Sequence, residues 1–110
     1  MTTEKQLREH MEEFADMVRD TQEFKDYLHM VEVLKRSPDL YDGVMEFRRE
    51  NYLLQHAPEN EDIYDRMEEL RRNNESLLEI PEVYDYLLAE KIFIHLVQTL
   101  FDDFMGEMNL

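Results

Sequence analysis

The chain has no cysteine and no tryptophan, only two glycines and three prolines, and few basic residues for its acidic ones. Without thiols it forms no disulfide, holds no structural zinc through thiolate and has no thiol nucleophile, which fits a cytoplasmic protein. Glycine at Gly43 and Gly106 alone leaves no phosphate-cradling loop. Serine occurs only at Ser37 and Ser76, in no Gly-x-Ser-x-Gly setting, so a catalytic triad is not expected. The opening Met1-Thr2-Thr3-Glu4-Lys5-Gln6 offers no apolar run for a signal peptide. The most apolar stretch is broken by Glu90, Lys91, His95, Asp102 and Asp103, short of the roughly 20 predominantly apolar residues that cross a bilayer.

What the chain does have is helix-forming residues and acid. Its 110 residues suit one domain, 1–110, near the size where burial only modestly exceeds chain entropy, so stability is expected to lean on association. Twelve basic against 27 acidic residues give a net charge of −15, spread along the chain. That surface repels phosphate backbones and anionic lipid, so direct nucleic-acid and membrane binding are not expected and a basic partner suits it better. Abundant Leu, Met, Glu, Lys and Arg, with little turn chemistry, predict an all-α fold: a bundle of about five helices.

The first helix is predicted over about Glu4 to Arg19, with Thr3 and Gln6 spaced as a capping box and Leu7, Met11, Phe14, Ala15 and Val18 on one face. After the cap-type Asp20-Thr21, a second helix runs to Arg36 with Phe24, Tyr27, Leu28, Val31 and Leu34 inward. Ser37-Pro38 reads as a cap and a first-position proline opening a third, with Leu40, Val44, Phe47, Asn51 and Leu54 inward. Gln55 to Asn60 reads as a loop, and a fourth helix follows with Ile63, Met67 and Leu70 inward. Residues 73–79 fit a bend or a continuation equally well. The starts at Thr21, Ser37 and Ile80 echo one another as similar helix starts, with no fixed period to support a repeat array.

The organising element is the last helix, entered at Pro81 with Glu82 in its first turn and expected to stop at Gly106. Val83, Leu87, Ile94, Val97, Phe101, Phe104 and Met108 follow helical spacing. Tyr84, Leu88, Ile92, Phe93, Leu96, Leu100 and Met105 widen the apolar girth beyond one stripe, and a helix apolar nearly all round has to be covered on several sides. A homo-oligomer, a dimer or larger, is therefore expected, with Tyr84, Leu88, Phe93, Leu96, Leu100, Phe104 and Met105 as the contact candidates.

Other chemistry reads weakly. Asp26 and His29, or His10 and Glu13, approximate fragments of a carboxylate–histidine metal site, but no second set completes one, and no metal or cofactor is expected. His95, between Ile94 and Leu96, reads as a hydrogen-bonded histidine at a core edge; His10, His29 and His56 read as surface residues. The pairs Lys35-Arg36, Arg48-Arg49 and Arg71-Arg72 would serve an RNA-binding accessory only if they converged; charge balance on solvated helices is the simpler account. Of the methionines, Met11, Met17, Met30, Met45 and Met67 read as core, while Met105 and Met108 suit an adaptable contact surface.

The ordered combination of Asp20-Thr21-Gln22-Glu23-Phe24-Lys25-Asp26-Tyr27, Ser37-Pro38-Asp39-Leu40, Glu46-Phe47-Arg48-Arg49-Glu50-Asn51 and Ile80-Pro81-Glu82-Val83-Tyr84-Asp85-Tyr86-Leu87-Leu88-Ala89-Glu90 resembles the YlbF/YmcA family of small bacterial regulators over nearly the whole chain. The resemblance implies an all-helical, non-enzymatic cytoplasmic protein that oligomerises and acts through protein contacts. It also implies association with complexes that modulate an endoribonuclease and with competence, sporulation and biofilm control. Some members contribute cysteines to iron–sulfur clusters; this chain has none, so that property does not carry over.

Overall fold

The computed structural model describes residues 1–57 and 62–109, which form six helices and no strand. These are α1 Glu4–Arg19, α2 Gln22–Lys35, α3 Pro38–Gln55, α4 Ile63–Asn73, α5 Glu75–Leu78 and α6 Pro81–Glu107. The capping box forms as the spacing requires. The Gln6 amide donates to Thr3 Oγ1 at 3.2 Å and the Thr3 amide to Gln6 Oε1 at 2.9 Å, satisfying two otherwise orphaned donors. At α2 the Phe24 amide donates to Thr21 Oγ1 at 3.3 Å, while the Thr21 hydroxyl donates back to Val18 O at 2.6 Å, tying the end of α1 to the start of α2. Ser37 is the residue before Pro38, but its side chain makes no capping bond; its carbonyl accepts from the Tyr41 amide at 2.9 Å instead.

The expected count of about five helices becomes six because residues 73–79 are neither a simple bend nor a continuation. Asn74 turns its side-chain amide back onto Leu70 O at 2.8 Å, closing α4, and a single turn, α5, follows. At the other end α6 runs through Gly106 to Glu107, and Gly106 does not take up a left-handed conformation. The left-handed residue is Asn109, with φ 59°, so asparagine rather than glycine marks the reversal beyond the helix. Of the loop expected over Gln55 to Asn60, Gln55 ends α3, His56 and Ala57 leave it, and Pro58 to Asn60 lie outside the described residues.

The chain divides into two compact units: Met1–His29 with Ala89–Leu110, and Met30–Leu88. In the second, α3, α4 and α5 pack on one another around Leu34, Val44, Leu70, Val83 and Tyr86, all buried. Gly43 faces α5, where an added Cβ would meet the Leu77 methyls at 3.5 Å. In the first, Phe93 of α6 is held edge-on by Phe24 and Tyr27 of α2, both at 5.4 Å between centroids, the favoured arrangement for aromatic quadrupoles. Ala89 is the one buried residue there among those described.

Candidate functional site

Burial along α6 decides which side remains for other molecules. Its inward side runs through Val83, Tyr86 and Ala89, buried, then Phe93, Leu96 and Leu100, half-buried. Tyr86 and Ala89 were absent from the expected stripe; they sit three and six residues beyond Val83, one turn apart on the same side. The stripe read from spacing holds inside the fold only at Val83 and Leu87. Beyond them Ile94, Val97, Phe101, Phe104 and Met108 are exposed, because the adjacent side carrying Phe93 is the one that α2 covers.

The expected contact residues therefore fall into two groups. Tyr84 (60% exposed), Leu88 and Phe104 stand free; Phe93, Leu96, Leu100 and Met105 are half-buried, Phe93 within its aromatic cluster. Ile92, four residues beyond Leu88, extends the exposed row begun at Tyr84.

α1 carries no buried residue at all. Its apolar face forms as the periodicity predicts, but Leu7 is 60% and Met11 63% exposed, with Phe14 and Met17 also exposed and only Ala15 and Val18 half-buried. Met11 and Met17 are thus surface residues, correcting their assignment to the core. Leu28 on α2, expected inward, is also exposed, whereas Phe24, Tyr27 and Val31 are half-buried and Leu34 fully buried as expected.

The polar groups mostly pair within their own helices. Arg49 grips Glu46 through two bonds, 2.7 and 3.2 Å, and Arg71 grips Glu68 at 3.0 and 3.4 Å, with Arg72 at 3.9 Å from the same carboxylate. The guanidinium hydrogen bonds hold the Glu46 and Glu68 carboxyls below the usual glutamate range and push the Arg49 and Arg71 guanidinium values up. Lys35 lies over the Tyr41 ring at 5.9 Å, and Arg48 reaches Met45 Sδ at 3.5 Å. Arg49 and Arg71 thus take part in i,i+3 ion pairs, and Arg72 in an i,i+4 one, on exposed helix faces, each worth little individually.

His95 is exposed, not placed at a core edge. His10 lies 3.3 Å from Glu13 on an exposed face, and His56 stacks on Tyr52 with its Nδ1 2.9 Å from Tyr52 O. Among the described residues no group of three histidines and carboxylates converges on a metal position. A depression of about 350 Å³ beside α4 and α5 is lined by Glu68, Arg71, Arg72, Glu75, Leu78 and Glu79. Its walls are mainly charged side chains already paired along α4, unlike the apolar walls of most small-molecule sites. Among the described residues no helix is long and apolar enough to cross a membrane.

Among the described residues the fold is all-helical, with exposed large apolar side chains along α1 and α6. The sequence model of the YlbF/YmcA family, described as control of the competence regulator ComK, matches residues 7–108. The chain belongs to this family of regulators. Comparison with curated proteins and with solved structures gave no significant match.

Proposed function

We propose that the chain is a non-enzymatic, cytoplasmic regulator that works by docking, both on itself and on a protein partner, through Tyr84, Leu88, Phe93, Leu96, Leu100, Phe104 and Met105 of α6. The family description, control of a competence regulator, supports a regulatory role. The resemblance extends that role to modulation of an endoribonuclease complex, with competence, sporulation or biofilm formation as its outputs. One observation carries the docking mechanism: the unit containing α1 and the distal part of α6 has, among its described residues, a single buried one, Ala89, yet presents rows of large apolar side chains. Apolar surface of that extent marks protein interaction sites.

Tyr84 and Leu88 are the residues to change, because both are exposed and their loss leaves the buried side of α6 intact. In a strain lacking the native gene, Tyr84→Glu with Leu88→Glu should fail to restore competence and the pattern of processed transcripts, while the purified variant keeps wild-type helicity by circular dichroism. Full complementation by the folded double variant contradicts the proposal.

A further inference from the structure

With no cysteine in the chain, its only sulfur is the thioether of eight methionines, so methionine is where an oxidant of the peroxide class meets a sulfur lone pair. Their settings differ. Met30, Met45, Met67 and Met105 are half-buried, and the Met45 sulfur already accepts a hydrogen bond from the Arg48 guanidinium at 3.5 Å. Met1 and Met108 are exposed but lie outside the helices, near the two ends. Only Met11 (63% exposed) and Met17 (69%) are both exposed and inside a helix.

Both stand on α1, three residues either side of Phe14, so they flank that ring along the face that also carries Leu7 and Val18. Phe14 is itself exposed, and α1 buries no residue. Oxygen added to a sulfur here changes the surface without disturbing a core. The start of the helix is kept by the Thr3 and Gln6 capping box, which holds no sulfur. At half-buried Met30, Met45 or Met67 the same oxygen would have to be fitted among packed side chains.

We propose that Met11 and Met17 form an oxidation switch on α1. The sulfur lone pair attacks hydrogen peroxide: an S–O bond forms, the O–O bond breaks and, after proton transfer, water leaves. The thioether is oxidised to a sulfoxide and the peroxide is reduced to water. Each sulfoxide sets a strong hydrogen-bond acceptor in the apolar row, where a docking molecule would have to bury it unpaired. Return needs a dithiol reductase, which removes the oxygen as water while its thiols become a disulfide; this chain has no thiol of its own for that step. The loss of docking rests on the reading of the chain as a docking protein, whereas the order in which the methionines oxidise does not.

Peptide mapping by mass spectrometry, after timed exposure of the purified chain to hydrogen peroxide, tests the chemistry. Sulfoxide should build up at Met11 and Met17 at least about tenfold faster than at Met30, Met45 and Met67, with circular dichroism unchanged once the first two are converted. Equal rates, or helicity lost in step with oxidation of Met11 and Met17, overturn the site. For the consequence, Met11→Gln with Met17→Gln stands in for the sulfoxides and Met11→Leu with Met17→Leu for the thioethers, both in a strain lacking the native gene. The glutamine pair should fail to restore competence, and the leucine pair should restore it. Should the glutamine pair lose helicity, Met17→Gln alone takes its place. A folded glutamine variant that complements fully overturns the switch, and the Tyr84 and Leu88 variants still judge docking separately. A leucine pair that fails overturns it too, because polarity at these positions would then not be what decides.

Discussion

Thr3 and Gln6 show how much of α1 depends on two side chains. With no buried residue, α1 has little packing to hold its first turn, so the capping box bears more of the load than in a core helix. Thr3→Ala should cost about 1 kcal/mol locally, read as faster amide exchange over α1 with α3 unaffected. Gly43 presents the opposite case. Its missing Cβ would sit at ordinary contact distance from Leu77, and it lies inside α3 with no positive φ, so Gly43→Ala should stabilise by about 0.5–1 kcal/mol and raise Tm by a few degrees. A fall in Tm would mean that α3 and α5 approach more closely than 3.5 Å allows. Glu46 and Glu68 have carboxyls held low by Arg49 and Arg71, so their favourable contribution is complete at neutral pH and is lost as pH falls through the depressed values. Side-chain NMR titration should find both below the usual glutamate range; Arg71→Ala should raise Glu68 back toward it.

Among the elements, helix ends were easiest to read wherever side-chain chemistry punctuates them. Thr3 with Gln6 placed the start of α1, and Ser37-Pro38 placed α3, although the serine hydroxyl itself stays out of the cap. α5 could not be read, since one turn is shorter than any apolar period and Asn74 ends α4 through a bond to Leu70 that spacing does not foretell. The inward side of α6 could not be read either. Periodicity names a face only when the rest of the helix is polar, and here Ile94, Phe101 and Phe104 compete on equal terms with Phe93, Leu96 and Leu100. The choice between them came from Phe24 and Tyr27, two residues some seventy positions earlier in the chain. The same contrast sets mutational costs. Leu34→Ala, fully buried, should destabilise by about 2–5 kcal/mol. Leu7→Ala should fall within about 0.5 kcal/mol at concentrations too low for association, as measured by urea denaturation of each variant.

At the scale of the whole molecule, charge and apolar surface oppose each other. A net charge of −15 repels copies of the chain, while the exposed apolar rows on α1 and α6 are the surface that the proposed docking would bury. Raising salt from about 50 mM to about 500 mM screens the repulsion and should tighten self-association; docking on a basic partner should weaken over the same range. The most direct test of the central claim, that α1 and distal α6 are completed by another molecule, is amide hydrogen exchange followed across protein concentration. Protection of α1 and of residues 94–107 should rise with concentration while that of α3 and α4 stays constant. Protection of α1 that is already equal to that of α3 at the lowest concentration, and indifferent to dilution, would contradict it.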